Sequence, residues 1–590
     1  MIALGVLSAG YYFAWWFDDN RIDHPALLIL FVLAVLYTVV QVFCAWYIYW
    51  HAAPVPPRQA PSGLSVDVFV PTYDEPLWLA ERMLRAAIAI RYPHQTYLID
   101  DGRKKEYGEL AEQLGAHYLS RPTNEDNKAG NVNYALARTK GEFVAIFDID
   151  HVPQPDYLDR SLGHFDDPKI GFVQVILSHD NDAESFVAGA SSQRNNGFFG
   201  APMLGLNGIG CAQAFGSNCI FRRRALESID EYKPGLAEDL HTSIRLHAAG
   251  WRSAYVPEAL AHGLEPADLA SFFKQQLKWS RGIFTILKKI YPCVARRLSL
   301  AQNIGYLWRL SCYLAGPMVA VNILAAILVL FFGSPNVTAA FTDYLVHGAP
   351  LAFIGAVIGY SVDKKYYTAS HSPQCMPFGG LFLAYGAWPI YTLSFICELF
   401  SIDLPFIATP KEAKGGNFLK LVAPQIVTAI LLTAGAVWRL AHGFDFYAIF
   451  ISAYAMMHAL MHSGVFYAVG EGWQMRRKGE FMNKKSSKHQ QISRKVAIIH
   501  AGVLAMVMAA IGGGLLFIMT AWLLIKGGKN VGMHLKLLGQ YLAGYSITWT
   551  GSFVGLLYGA LLGGVIGWSI GFIYNRVVEW RQQWTKTLKG

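Results

Sequence analysis

Apolar and polar positions divide the chain into three stretches with different patterns. Residues 27–50, "LLILFVLAVLYTVVQVFCAWYIYW", contain no charge and are long enough for a bilayer, which takes about 20 apolar residues. Residues 64–285 carry short apolar runs broken by polar ones, the pattern of a soluble α/β domain. From about residue 303 long apolar runs return. This order predicts a soluble domain inserted between membrane helices: N-terminal membrane helices at 1–52, the domain at 64–285, and a membrane region at 286–470. A basic loop at 471–496 and two further membrane helices with a basic tail at 497–590 follow. The first 17 residues are apolar but lack a basic start, so they read as a short membrane helix and not as a signal peptide.

Inside 64–285 the strand-like runs are "VDVFVP" (66–71), "TYLID" (96–100), "HYLS" (117–120), "EFVAIFDID" (142–150) and "GFVQVIL" (171–177). Helical patterns at 76–91, 104–115 and 128–139 separate several of them. Such alternation predicts a largely parallel sheet with crossover helices. Ligands of these sheets bind at the carboxyl ends of the strands. Polar clusters stand at four such ends: "PTYDEP", "DDG", "PTNEDNKAGNVN" and "DIDH".

Composition and charge add topology. The 590 residues are 53% hydrophobic and 15% charged, with a net charge of +9. That charge does not call for nucleic acid, because much of it lies in loops beside membrane helices, where Lys and Arg mark the cytoplasmic side. The loop 475–495 and the C-terminal tail are the most basic stretches, and the linker 18–25 is acidic. Counting crossings from these marks puts the soluble domain in the cytoplasm of a multi-pass inner-membrane protein. The count closes only if the apolar segment 378–400 does not cross. Its Trp388, Tyr391 and Glu398 suit a helix at the membrane interface. Glycines at 555, 559, 563, 567 and 571 give the last helix a smooth face for close packing. Seven scattered cysteines, at 44, 211, 219, 293, 312, 375 and 397, form no CxxC pair and so no metal knuckle.

The candidate chemistry is carboxylate chemistry. Neither GxGxxG nor GxxxxGK[ST] occurs, so dinucleotide and P-loop binding have no support. Asp148 and Asp150, two apart after an apolar strand, suit a hard cation such as Mg2+ or Mn2+, which would offset the charge of a diphosphate leaving group. Lys128 offers a point charge to the same phosphates. Glu238 and Asp239 open a helix in "LAEDLHTSIRLHAAGW", and Gln275, Lys278 and Trp279 share one helix face in "FFKQQLKWSRG".

In this order, DDG, NKAGN, DxD, ED and QxxKW resemble the processive family-2 glycosyltransferases of the cellulose synthase type. Thirty-five residues separate Asp239 from Gln275, which matches that family's spacing. "FIATPK" (406–411) resembles its gating loop. The resemblance covers about residues 26–470. It implies an α/β GT-A-type nucleotide-sugar domain inserted in an all-α multi-span membrane domain. Thr72, Glu75 and Asp101 would bind uridine. Lys128, Gln275, Lys278 and Arg281 would lie around the diphosphate, with Asp148 on the donor and Asp150 as main metal ligand. Asp239 would be the general base, oriented by Glu238. Trp279, Phe215, Gly216 and Ser217 would hold the acceptor, and Phe406, Thr409 and Lys411 would close over the donor. The implied reaction is processive, inverting polymerisation of glucose from UDP-glucose into an exported β-glucan, 1,4-, 1,3- or mixed-linked, with lipid around the chain and export proteins as further partners. A hyaluronan- or chitin-type synthase using UDP-N-acetylglucosamine, and a non-processive lipid-carrier transferase, are the alternatives.

Three departures stand out. Lys278 replaces the family's Arg, and a point charge replaces a bidentate fork. Phe215 stands where the family has Cys, and AED where it has TED. No RxxxR occurs in the basic loop, so cyclic-di-GMP is not expected to act through a domain there.

Overall fold

Valine, isoleucine and phenylalanine runs form the inner strands of a seven-stranded sheet in the structure, a computed structural model. It describes residues 1–16, 25–332, 341–366, 378–402, 418–443, 446–478, 501–526 and 537–587. The strands in chain order are β1 (Val66–Thr72), β2 (Gln95–Asp100), β3 (His117–Ser120), β4 (Phe143–Ile146), β5 (Val152–Pro153), β6 (Ile170–Val175), β7 (Ser178–His179), β8 (Cys219–Arg222), β9 (Arg252–Val256) and β10 (Ala261–Gly263). The large sheet has the order β3-β2-β1-β4-β8-β6-β9, and a small one has the order β5-β10-β7. β1 pairs in parallel with β2 and β4, and Thr72 lies level with Asp100. The chain leaves β1 outward through β2 and β3 and returns on its other side at β4. A crevice therefore opens at the carboxyl ends of β1 and β4, where ligands of such sheets bind. The parallel expectation holds for these strands. β8, which the sequence pattern does not announce, runs antiparallel between β4 and β6.

The core fills the space between this sheet and the helices Asn127–Leu136 and Glu238–Ala248. Phe69, Val132, Val144, Ile146, Phe172, Phe221 and Leu246 are buried together there. Burying each large apolar side chain contributes about 1.5–3 kcal/mol. At the opposite end of β1 sits a buried ion pair. Arg223 Nη2 donates to Asp67 Oδ2 at 2.8 Å, the Gly141 N–H reaches the same oxygen at 2.7 Å, and Arg223 also donates to the carbonyls of Gly141 and Leu136. This cluster ties β1, the start of β4 and the end of β8 together.

Contacts divide the chain into two units, residues 1–484 and 485–590. Among the described residues six helices are long and apolar enough to cross a membrane: Val32–Trp50, Leu300–Phe332, Val346–Tyr366, Ala423–His442, Tyr447–Trp473 and Trp549–Ile573. The segment 378–400 is a pair of helices, Phe378–Gly386 and Trp388–Leu399, bent by 42°. Pro389 supplies the cause, because its ring cannot continue the preceding helix. The carbonyl freed at Gly386 accepts from Gln425 Nε2 at 2.7 Å, and the Trp388 indole donates to His462 Nε2 at 3.0 Å. Tyr391 and Glu398, read from sequence as interface residues, bond to the Leu269–Thr285 helix. Tyr391 donates to Gln276 Oε1 at 2.9 Å and Glu398 accepts from Thr285 at 3.1 Å, with Ser394 against Ser280 between them. In the second unit Ala501–Lys526 packs against Trp549–Thr587. A Cβ on Gly559, Gly563 or Gly567 would fall 2.1–2.5 Å from the backbone of the facing helix, so the glycine face is a packing face.

Arg223→Met tests the buried pair. It strands Asp67 without its cation and should cost about 3–5 kcal/mol, read as a lower unfolding midpoint of the purified full-length protein. An unchanged midpoint would show that the sheet does not depend on it.

Candidate active site

The crevice widens into a cavity of about 570 Å³. Its floor begins with Thr72, whose hydroxyl donates to Glu75 Oε2 at 2.9 Å, an oxygen that also accepts the Tyr73 N–H. Asp101 follows β2. Its carboxylate is gripped by Arg121 through Nε at 2.5 Å and Nη2 at 2.8 Å, and Arg121 also donates to the carbonyls of Glu125 and Asn127. Arg121 thus fixes the loop that delivers Lys128. The sequence pattern gave Arg121 no role, and the need of a buried acid for a counter-charge was the signal that pointed to it.

Lys128 is the centre of the cleft. Its Nζ lies 2.5 Å from Asp148 Oδ1, 2.6 Å from the Gly216 carbonyl and 4.0 Å from Glu238 Oε1. Burial works against its charge, but Asp148 and Glu238 outweigh burial and leave its pKa above the ordinary lysine value. β4 ends at Ile146, so Asp148 and Asp150 stand in the turn beyond it. The Asp148 N–H donates to Ser217 Oγ at 2.9 Å. Asp150 is buried. The ligand atoms of Asp148, Asp150 and His151 all lie within 4.8 Å of one another, and both His151 ring nitrogens are buried without a hydrogen-bond partner. These residues fit a divalent cation. On the facing wall burial pushes Glu265 up to about 7 and His179 down to about 3.

Asp239 sits in the first turn of Glu238–Ala248. Burial, then the Glu238 charge, push its carboxyl up to about 7, while the Leu240 N–H, Lys128 and Lys278 pull it down. Ser243 of the same helix accepts the Ala214 N–H at 2.8 Å, which docks the "AFGSN" loop on it. Gln174, fully buried in β6, shapes that loop: its Oε1 accepts from Phe215 N–H, and its Nε2 donates to Ser217 and Asn218 carbonyls. Gly216 has φ +78°, and a Cβ there would meet Lys128 Nζ at 3.3 Å and Asp239 Oδ2 at 3.4 Å.

The helix Leu269–Thr285 closes the cleft with Gln275, Lys278 and Trp279 along its wall. Gly282 lets it approach, because a Cβ there would lie 2.8 Å from Ala237, beside the two acids. Thr72, Glu75, Asp101, Lys128, Asp148, Asp150, Phe215, Gly216, Glu238, Asp239, Gln275, Lys278 and Trp279 all line the one cavity. Ser217 stands behind it and holds Asp148. Arg281 is not part of the lining. Phe406, Thr409 and Lys411 lie outside the described residues. Phe198, Phe199 and Arg309 join Phe215 in an aromatic wall at the membrane-helix end, with the Arg309 guanidinium 5.8 Å from the Phe215 ring.

The profile described as "Glycosyltransferase like family 2" matches residues 61–282. The chain carries a family-2 glycosyltransferase domain of the cellulose synthase-like kind. Among curated relatives, the cellulose synthase 1 catalytic subunit [UDP-forming] of Komagataeibacter xylinus is 33% identical over 437 residues, 71% of this chain and 57% of the relative. The cellulose synthase catalytic subunit [UDP-forming] of Xanthomonas axonopodis pv. citri is 33% identical over 287 residues, 46% of this chain and 39% of the relative. The chain spans 23% to 57% of the length of the first five relatives. A mannosyltransferase of Pyrobaculum calidifontis, solved with GDP-Man and Mn2+, aligns with a TM-score of 0.43 at 18% identity, over 63% of this chain and all of that one. The transferase domain ends with the Leu269–Thr285 helix, which leads through a short helical stretch into the first long membrane helix after it.

Gly216→Ala puts a side chain at a left-handed position, a strain of about 1–2 kcal/mol, and crowds Lys128 and Asp239. A modest drop in unfolding midpoint with a much larger loss of transferase activity is expected. Equal activity would show that the loop yields freely.

Proposed function

We propose that the protein is a processive, inverting glycosyltransferase that polymerises glucose from UDP-glucose into a β-glucan and moves the polymer across the membrane from a cytoplasmic catalytic domain. The observation that carries this reading is a single cleft that brings together donor-type acids, Lys128, Asp239 and Trp279, with an aromatic wall beside the membrane helices. Relatives named as UDP-forming cellulose synthases support the choice of donor.

In this reading Thr72, Glu75 and the Arg121-braced Asp101 hold the nucleoside. Lys128 neutralises the diphosphate, with Gln275 and Lys278 as its further neighbours in the cavity wall. Asp148, Asp150 and His151 would hold Mg2+ or Mn2+, which when bound offsets the charge of the departing UDP. Asp239 takes the proton of the acceptor hydroxyl. The hydroxyl oxygen attacks the anomeric carbon opposite the C1–O bond to the diphosphate, and that bond breaks with its electron pair leaving on UDP. Inversion of an α-linked donor gives a β-linkage. Trp279, Phe215 and Gly216 position the terminal sugar, and holding both partners together supplies much of the rate.

Membrane vesicles given UDP-[14C]glucose and Mg2+ should yield a long polymer that a β-glucanase degrades. Only a short lipid-linked sugar, or incorporation solely from UDP-N-acetylglucosamine, would refute the reading. Asp239→Asn should lower turnover by about 10²–10⁴-fold. Because burial and Glu238 hold a proton on Asp239 up to about 7, and only the ionised form accepts one, the rate should rise as pH increases through that value. A flat profile from pH 5.5 to 8 would remove Asp239 from the base role.

A further inference from the structure

The small sheet brings His151 together with two side chains that the transfer step leaves unused. His151 precedes β5, His179 ends β7, and Glu265 lies two residues beyond β10. His179 and Glu265 both stand in the cleft wall, with side chains only 5% and 1% exposed. His179 Nδ1 is 3.1 Å from Glu265 Oε1, within ion-pair distance but outside hydrogen-bond alignment as the ring stands. Asn195 Nδ2 donates to the same oxygen at 2.5 Å, and Ser191 also hydrogen-bonds the carboxyl group. With these donors upon it, Glu265 meets His179 as an acceptor. The imidazole proton then sits on Nδ1, and Nε2 keeps its lone pair.

The charged and titratable neighbours of the His179 ring are His151, Asp150, Asp180 and His262. The His179 ring lies edge-on to His151, with centroids 5.9 Å apart, and Asp150 acts on it electrostatically. Gly263 makes room for the His151 ring, since a Cβ there would fall 2.5 Å from its Nε2. Lys128 takes one oxygen of Asp148. The rest of the set, carboxylates and imidazole nitrogens, suits a divalent cation.

We propose that Glu265 is a positioning residue that fixes His179 in this tautomer, and that His179 Nε2 joins Asp148, Asp150 and His151 in holding the cation of the donor complex. This rests on the nucleotide-sugar reading of the cleft. A carboxylate behind a ligating imidazole sets its orientation and basicity, and losing such a partner costs about 10- to 100-fold in metal affinity.

The test uses the full-length protein with Mn2+ and UDP as probes, and reads bound Mn2+ by electron paramagnetic resonance. Two imidazole nitrogen couplings are expected, one lost in His179→Ala and the other in His151→Ala. Glu265→Gln, which keeps the side-chain volume, should weaken Mn2+ binding about 10- to 100-fold and leave the unfolding midpoint of the metal-free protein in place. Mn2+ binding by Glu265→Gln as tight as in the parent protein overturns the positioning role, whatever happens to the midpoint. Nitrogen couplings that survive His179→Ala intact overturn its ligation. A parent protein that binds no Mn2+–UDP sinks this proposal and the nucleotide-sugar reading together. Mn2+ couplings as expected, without polymer from UDP-glucose, sink the polymerisation reading alone.

Discussion

One half-buried cation makes the cleft possible. Asp148 from the turn after β4 meets Glu238 and Asp239 from the first turn of one helix, and three carboxylates converging in a half-dry crevice repel one another. Lys128 stands among them, bonded to Asp148 and to the Gly216 carbonyl and 4.0 Å from Glu238. Its position depends in turn on the Arg121–Asp101 grip on the loop before it, and on the left-handed turn at Gly216. Without Lys128 the acids would take up protons or move apart, and the groups proposed to hold donor and base would cease to share a site.

The Leu269–Thr285 helix extends this site toward the membrane. One face gives Gln275, Lys278 and Trp279 to the cleft. Another gives Gln276, Ser280 and Thr285 to a polar seam with Tyr391, Ser394 and Glu398. Arg194 reinforces the seam by donating to Gln276 Oε1 at 2.7 Å. The bend at Pro389, held by Gln425 and His462, aims the second half of the apolar pair along this helix. A displacement of either helix therefore reaches both the cleft wall and the bent pair.

Much of this was legible in the sequence for physical reasons. β1, β2 and β4 are apolar runs ending in polar clusters, so their carboxyl ends could be placed from pattern alone, and their parallel register then brings Thr72, Asp101 and Asp148 to one crevice. β8 was not legible, because "CIFR" is four residues with no turn signal of its own. The two- and three-residue strands of the small sheet are below any periodicity, and with them the grouping of His151, His179 and Glu265 was hidden. Arg121 and Gln174 escaped for another reason. Gln174 acts through bonds to a loop more than 40 residues on, and Arg121 meets Asp101 only because β2 and β3 lie side by side. For Tyr391 and Glu398 hydropathy suggests an interface position but cannot name the neighbouring helix they bond to.

The replacement of the family's Arg by Lys278 takes on a different meaning in this geometry. Asp239 is pushed toward neutrality by burial and by Glu238, and Lys278 is one of the two cations that oppose this. A Coulomb effect of this kind depends on charge and distance, not on the shape of the cation. The ammonium group therefore meets the electrostatic need of the base as a guanidinium would. What it gives up is the planar fork that fixes a carboxylate or phosphate in direction. In the proposed reaction the departure thus spares the ionisation of the base and falls on orientation, within the same cleft where Phe215 replaces cysteine. Both changes would there bear on how the acceptor sugar lies against Asp239, and so on which hydroxyl attacks.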